Sequence, residues 1–427
     1  MGFVKIRSMI EIDKIYHYIN NQKEGLKKFM EDLIGFQSVQ GKEEPIQSYL
    51  LSKFKGLGLK AEFIPIDNKI KDDPEYTFSE KALDYDGRYN LIITKKGSSN
   101  GRSIILNAHS DVVPANEWTE GFSPLLNGDI ITGRGACDDK GQIGVIYAAL
   151  SALEALKIDL KGDILTEIVI EEEVGGNGSL DLIRKGYKAD GVLVLEPTEF
   201  QIHPANRGVI WFRVTVEGKP VHMGRILEGV SAIDHVIEVI KLFKKYEKRL
   251  IKESKGHPLF KMHKQPVQLN VGTMQAGEWP SMVPAKAVIE GGVGFLPNKS
   301  MGEVKKELKQ IIEESGSEWL KGHYRLEFLR LHNDAFEIPI DHPFVTTLEK
   351  SCKETGLNSK VSGWIVSCDA RLFNKVGNMP TVVFGAGSLS HAHSNVEQIN
   401  VQDIMTAAKA LAVFLINWCG DSSLCSE

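Results

Sequence analysis

The stretch DILTEIVIEEEVGGNGS, residues 163–179, decides the fold class of this chain. An apolar strand candidate comes first, three glutamates follow it directly, and a glycine-rich turn comes next. The segments NLIIT, SIILNAH and DGVLVLE are predicted as further short strands, and GQIGVIYAALSALEAL is predicted as a helix. Alternation of such strands with helices predicts an α/β domain, with a mostly parallel sheet covered on both faces.

The middle of the chain has a different order of elements. VIWFRVTVEG, PVQLNVGTM, AKAVIEGGVGF and YRLEFLRL are predicted strands, and two long amphipathic segments are predicted helices: SAIDHVIEVIKLFKKYEKRL and SMGEVKKELKQIIEE. Ser300 and Glu303 form a capping-box pair at the start of the second helix. The resulting β-α-β-β-α-β order is that of a ferredoxin-like α+β domain.

We therefore expect two domains. A discontinuous catalytic domain would comprise residues 1–205 and 332–427, and the inserted domain residues 206–331. The first domain would close with the strand PTVVFGAG and the helix VQDIMTAAKALAVFLINW. One face of that helix carries Ile404, Ala408, Leu411, Leu415 and Trp418.

The composition of the chain excludes several classes of protein. Of 427 residues, 42% are hydrophobic and 25% are charged, as in ordinary globular proteins. The net charge of -5 provides no basic surface for nucleic acid. No apolar run approaches the roughly 20 residues of a membrane span, and the first residues do not resemble a signal peptide. Five irregularly spaced cysteines do not form a disulfide framework, so we expect a cytoplasmic protein.

Acidic and imidazole side chains recur where predicted strands end. They are His109 and Asp111 in AHSDVVP, Asp138 and Asp139 in GRGACDDKGQ, Glu171, Glu172 and Glu173 in EEEVGGNGS, Glu196 in LVLEPTEF, and His391 and His393 in GAGSLSHAHSNVE. Each motif alone has an ordinary alternative: a turn, a helix N-cap or a solvated loop. Parallel strands would nevertheless bring these ends to one edge of the sheet, where open α/β sheets bind ligands.

The charges of these residues favour a metal site. Asp138, Glu173 and Glu196 bring three negative charges, which two divalent zinc ions and a bridging hydroxide would neutralise. Mixed imidazole and carboxylate ligands suit zinc, with a position left open for water in a catalytic site.

Taken in order, the motifs resemble those of the acetylornithine deacetylase, succinyl-diaminopimelate desuccinylase and aminoacylase family of di-zinc peptidases. The likeness runs over nearly the whole chain, through AHSDVVP, GRGACDDKGQ, EEEVGGNGS, LEPT, VHMG, VSCDARL and AHSNVE. GWIVSCDARLF and GEWPSMVPAKAVIEGGVGFLP look most like the acetylornithine deacetylase branch. The resemblance implies two Zn²⁺ per chain, with Co²⁺ or Mn²⁺ as substitutes, and a homodimer in which the inserted domain is lid and dimerisation surface.

The resemblance also implies a role for each metal ligand. His109 and Glu196 would bind one zinc ion, and Glu173 and His393 would bind the other. Asp138 would bridge the two ions.

Four further residues receive roles from the resemblance. Asp111 would orient a histidine ligand, and Glu172 would be the general base. His222, in the inserted domain, would stabilise the tetrahedral intermediate in its own or a neighbouring subunit's site; a surface histidine is the alternative. Arg371 would bind a substrate carboxylate, and its alternative is a structural ion pair with Asp369.

The expected activity is deacylation of a small N-acyl amino acid by metal-assisted hydrolysis. A dipeptidase of the same family and a metal-binding relative without catalysis remain open. The presence of Glu172 beside a full ligand set favours catalysis, and the chain lacks the G-x-S-x-G motif of a serine hydrolase. The sequence does not choose among acetylornithine, another N-acyl amino acid, a succinylated diamine acid and an N-formylated heterocyclic amine.

Overall fold

The computed structural model describes residues 2–79 and 83–420, without the side chains of residues 2–11. The chain divides into two compact units. Unit 1 comprises the described residues of Met1–Pro204, Ile338–Ser362 and Cys368–Glu427, and unit 2 comprises Ala205–Glu337 and Gly363–Ser367. The catalytic role expected for the first domain and the lid and dimerisation roles expected for the second stay predictions.

Helices and strands alternate along most of the described chain. The helices are α1 (Gly2–Asn21), α2 (Lys23–Gly35), α3 (Glu44–Gly56), α4 (Lys140–Ala155), α5 (Asn177–Arg184), α6 (Ala232–Ser254), α7 (Met301–Glu313), α8 (Pro343–Glu354) and α9 (Val401–Cys419). The strands are β1 (Lys60–Pro65), β2 (Tyr89–Lys95), β3 (Ile104–His109), β4 (Leu125–Asn127), β5 (Ile130–Thr132), β6 (Ile164–Val169), β7 (Val192–Leu195), β8 (Ile202–Asn206), β9 (Gly208–Glu217), β10 (Gln268–Ala276), β11 (Lys286–Phe295), β12 (Tyr324–Asn333), β13 (Phe336–Glu337), β14 (Val361–Trp364), β15 (Thr381–Phe384) and β16 (Gln398–Asn400).

The main sheet of unit 1 has a parallel centre. Its order is β1-β2-β6-β3-β7-β15-β8, and β6, β3, β7 and β15 run parallel to one another. The strands on either side, β2 and β8, are antiparallel to this centre. Every residue of β3, β7 and β15 is buried, as the continuous apolar runs of these strands require. The predicted α/β class is confirmed.

Helix α9 is buried more completely than its sequence suggested. The five residues expected on one face are buried, and so are most of the others, including Val413 and Phe414. The expectation of a single buried face was too narrow because α1, α2, α4 and α8 all contact this helix. A helix that is apolar on nearly all sides belongs in the interior of a domain.

Unit 2 has the predicted ferredoxin-like order. Its antiparallel sheet is β10-β11-β9-β12, and α6 and α7 both contact this sheet. The capping box at the start of α7 is present: Ser300 Oγ accepts the Glu303 N–H, and the Glu303 carboxylate accepts the Ser300 N–H. Among the described residues of both units, no helix has the length and apolar character needed to cross a membrane.

Candidate metal centre

The four parallel strands bring their carboxyl ends to one edge of the sheet. His109 is the last residue of β3, the three glutamates follow β6 after Ile170, and Glu196 follows β7 directly. His393 lies in the loop after β15, and Asp138 precedes α4. This topology explains why residues far apart in sequence meet at one place.

Asp138 lies between two imidazole rings. Its Oδ1 is 3.1 Å from His109 Nε2, and its Oδ2 is 3.2 Å from His393 Nε2. His393 Nε2 also lies 3.0 Å from an oxygen of Glu173. The two oxygens of the Asp138 carboxylate thus lie beside different histidines. A carboxylate that bridges two cations has the same arrangement.

The candidate ligands form two groups that share Asp138. Within each group, one ligand atom from every residue lies within 4.8 Å of the others. The first group is His109, Asp138, Asp139 and Glu196; the second is Asp138, Glu173 and His393. The structure thus brings together the five residues predicted as ligands, whose binding of metal stays a prediction, and His391 belongs to neither group.

Asp139 is a member of the first group to which the sequence assigned no metal-binding role. Its Oδ2 accepts the backbone N–H of His109 at 3.0 Å, whereas its buried Oδ1 has no hydrogen-bond partner among the described residues. A buried carboxylate oxygen without a donor is costly unless a cation compensates it. The adjacent Asp138–Asp139 pair was the sequence signal that could have identified it.

Carboxylates outnumber histidines in this cluster. Burial raises the pKa of Glu196 well above its ordinary value, and the charges of Asp139 and Asp138 raise it further. Hydrogen bonds to Asp138 and Glu173 raise the pKa of His393 to about 10. The raised pKa values mean that Glu196 and His393 bind protons, which reduce the negative charge of the cluster. Divalent cations would compensate the same negative charge, so the donor set fits a pair of metal ions.

Asp111 connects the end of β3 to the loop after β6. Its carboxylate oxygens accept the backbone N–H groups of Glu172 and Glu173 at 3.3 and 3.2 Å. His109 Nδ1 lies 3.0 Å from the Asp111 carbonyl oxygen and 3.4 Å from its carboxylate. A proton on Nδ1 serves these contacts and leaves Nε2 available to a metal ion.

The first of the three successive glutamates, Glu171, is held by a network of hydrogen bonds. Glu171 is 1% exposed and accepts hydrogen bonds from Tyr85, Arg88, Asn177 and Gln40. Burial is the largest single influence and raises the pKa of Glu171. The charge of Arg88 and the hydrogen bonds to the carboxylate together outweigh burial, so the net shift is downward. This carboxylate is therefore held ionised away from the ligand groups.

Glu172 differs from Glu171 in having no such network. Its half-buried side chain forms no hydrogen bond or ion pair with the part of the chain that the structure describes. Burial raises its pKa well above the ordinary value, and the Asp369 carboxylate adds to the shift. No network of the kind that surrounds Glu171 therefore holds this carboxylate.

Glu397 supports the ligand loop and was not identified from the sequence. Its Oε1 accepts the backbone N–H groups of Cys137 and Asp138 at 3.2 and 3.1 Å, and Arg134 donates to its Oε2 at 2.6 Å. These bonds fix the backbone from which Asp138 projects. The sequence signal that could have identified Glu397 is its position at the end of the AHSNVE motif.

Two predicted site residues lie outside the ligand groups. Arg371 is 2% exposed, pairs with Glu75 at 3.0 Å and donates to the Gly175 carbonyl oxygen. These contacts favour a structural role, and binding of a substrate carboxylate stays a prediction. His222 lies in unit 2 with an exposed ring, and its Nδ1 accepts the Gly224 N–H at 3.1 Å.

Carboxylates and imidazoles gathered at the edge of a parallel sheet are typical of a metal-dependent hydrolase. Residues 105–417 match the family described as Peptidase family M20/M25/M40, and the chain belongs to this family. The predicted enzyme class, a hydrolase of amide bonds, is thereby confirmed.

Relatives of the chain have several amide substrates. It is 26% identical over 371 residues to the N-formyl-4-amino-5-aminomethyl-2-methylpyrimidine deformylase of Bacillus subtilis, across 78% of this chain and 84% of that protein. It is 28% identical over 369 residues to the acetylornithine deacetylase of Myxococcus xanthus, across 80% and 87%. A crystal structure of a tripeptidase from Staphylococcus aureus shares the fold, with a TM-score of 0.73 and 19% identity over 92% of this chain and 98% of that one.

Proposed function

We propose that the chain is a two-zinc deacylase that hydrolyses the amide bond of a small N-acyl amino acid. The observation that carries the proposal is the position of Asp138, which contributes to both ligand groups and directs one oxygen toward each histidine. The relatives that remove formyl and acetyl groups from nitrogen support a deacylase over a peptidase.

The proposed ligands divide between two ions. His109 and Glu196 would hold one ion, Glu173 and His393 the other, and Asp138 both; Co²⁺ and Mn²⁺ are proposed as substitutes for zinc. Bound zinc ions would lower the pKa of water and polarise the scissile carbonyl group. Asp139 supports the first ion by orienting the backbone of His109.

Glu172 is the proposed general base. It takes the proton of the attacking water and then delivers it to the departing amine nitrogen. Its side chain accepts no hydrogen bond from the described residues, which supports this role. Glu171 beside it, by contrast, accepts hydrogen bonds from four side chains.

His222 is the proposed donor to the oxyanion, from the same subunit or from a homodimer partner. Because Nδ1 accepts the Gly224 N–H, the ring proton must lie on Nε2, which then can donate. A donor directed at the developing negative charge lowers the barrier to amide hydrolysis.

The test is amine release from matched substrates: N-acetyl, N-formyl and N-succinyl amino acids beside unblocked dipeptides. We expect the zinc-loaded protein to release amine from blocked amino acids only, and a chelator to abolish release. Glu120→Gln is the matched control for a substitution of the proposed base Glu172. Glu120 is exposed, so this variant should leave turnover unchanged.

Two results would contradict the proposal. Cleavage of dipeptides alone would assign the chain to the dipeptidase alternative. No turnover of any substrate by protein with two bound metal ions would favour the relative without catalysis.

A further inference from the structure

The sheet of unit 2 has one face that its helices leave open. Alternate residues of a strand point to opposite faces, and Ile210, Phe212 and Val214 of β9 are buried. Trp211, between two of them, is 44% exposed. A pocket of about 430 Å³ lies on this open face, within the size range of small-molecule sites. Its lining belongs entirely to unit 2, whereas every candidate metal ligand belongs to unit 1.

Glycines of β11 make room for the pocket. A Cβ at Gly292 would lie 3.3 Å from the Trp211 ring, and a Cβ at Gly294 would lie 3.2 Å from the Arg207 guanidinium. Neither glycine has a φ in the left-handed region, so the backbone conformation does not require glycine at these positions. Glycine weakens a strand interior and often marks close approach by a ligand.

Two buried polar atoms of this pocket, Arg207 Nε and Gln268 Oε1, have no hydrogen-bond partner among the described residues. The Arg207 guanidinium forms no hydrogen bond or ion pair with any residue that the structure describes, and its buried Nε has no acceptor. Gln268 Oε1 is likewise buried without a donor. Gln268 pairs with Gly294 across the strands, so an unused donor and an unused acceptor flank the same glycine.

We propose that this pocket binds a small planar carboxylate that carries an N–H or O–H donor beside its carboxylate. The carboxylate pairs with Arg207, the donor bonds Gln268 Oε1, and the flat body lies over Gly292 and Gly294 against Trp211. Arginine binds carboxylates with two parallel hydrogen bonds, which suits a planar acid.

The other charged residues of the lining already have interactions, which leaves Arg207 as the group for a single negative charge. Arg213, the neighbouring guanidinium of β9, already pairs with Glu290 at 2.6 Å. Glu290 lines the same pocket and would repel a second negative charge. Arg330 also lines the pocket and has an interaction of its own, so Arg207 is the lining arginine whose side chain has no partner among the described residues.

The test is titration of the full-length, metal-loaded protein with pyrrole-2-carboxylate, followed by saturation-transfer NMR and calorimetry. This probe is planar, has its N–H beside the carboxylate, and contains no amide to cleave. We expect saturable binding in the millimolar range or tighter. Pyrrole-2-carboxamide, which lacks the charge, and phenyl phosphate, which has no N–H beside its anionic group, should both bind roughly tenfold more weakly.

Four variants locate the binding site. Arg207→Gln removes the charge and Gly294→Val fills the space, and each should weaken binding roughly tenfold or more. Arg207→Gln should leave the Tm unchanged, because the guanidinium has no partner to lose among the described residues. Arg325→Gln, at an exposed arginine of β12 outside the pocket, should bind like the wild type. Asp138→Ala should also retain binding.

Three outcomes would overturn the proposal. The first is the absence of saturable binding to the wild type. The second is binding that survives both Arg207→Gln and Gly294→Val. The third is binding that Asp138→Ala abolishes and Arg207→Gln preserves, which would place the probe at the metal centre.

Discussion

Replacing Glu171 with alanine should destabilise unit 1 without removing a metal ligand. The carboxylate is 1% exposed, accepts from Tyr85 and Arg88 at 2.5 Å each, and accepts from Asn177 at 2.9 Å. Breaking a buried ion pair costs about 3–5 kcal/mol, because one charge is left buried and uncompensated. Arg88 keeps its second carboxylate, Glu43, so we expect the lower end of that range. For a unit of this size, a loss of about 3 kcal/mol corresponds to a fall in Tm of about 5 °C.

Differential scanning calorimetry measures this fall. The exposed Glu120→Ala variant is the control and should melt with the wild type. Burial raises the pKa of Glu171, but the charge of Arg88 and the hydrogen bonds to the carboxylate together lower it by more in the folded chain. Its stabilising effect is therefore present at neutral pH and is lost as the pH falls below about 4, where the Tm values of the wild type and Glu171→Gln should converge. A Glu171→Ala variant that melts within about 2 °C of the wild type at pH 7 would refute the reasoning.

Two further substitutions separate proton transfer from stability. Glu172→Gln should lower kcat by roughly 10²–10⁴-fold while both metal ions stay bound, as measured by amine release and metal analysis; near-normal turnover would remove Glu172 as the base. Burial raises the pKa of Glu167 to about 8, and the Asp369 charge contributes. The folded chain therefore holds a proton that the unfolded chain releases, and stability should fall by about 1.4 kcal/mol per pH unit between about pH 4.5 and pH 8. Glu167→Gln should flatten this slope in urea unfolding at pH 6 and pH 8, and equal slopes in both proteins would contradict the assignment.

Strands buried on both faces were the most predictable part of the fold. β3, β6, β7 and β15 are short apolar runs bounded by polar or glycine-rich turns, and the sequence located all four. Their parallel order then placed the candidate ligands at one edge without any knowledge of side-chain contacts. The β-α-β-β-α-β order of unit 2 was equally visible, because each amphipathic helix and strand has a distinct apolar period.

Short or exposed elements escaped the sequence analysis. Leu125–Asn127 is a fully exposed strand of three residues, and it carries no apolar pattern. α5 has only eight residues, too few for a helical period to emerge beside its glycines. α8 was missed although Phe344, Val345 and Leu348 repeat at helical spacing and are buried.

The surroundings of Glu171 could be described only with the structure. The resemblance implied roles for Glu172 and Glu173 but none for Glu171. Arg88 and Tyr85 contact Glu171 across more than 80 positions of the sequence. Arg371 similarly pairs with Glu75, 296 positions away. Contacts at such separation depend on the folded topology, and no local pattern encodes them.

The most direct test of the account is the metal content of the purified wild type and of Asp138→Ala, measured by plasma mass spectrometry after dialysis. Because Asp138 belongs to both ligand groups, the account predicts two metal ions per chain in the wild type and loss of both in the variant. Two tightly bound ions in Asp138→Ala, or one ion in the wild type, would contradict a shared carboxylate at the centre of the site.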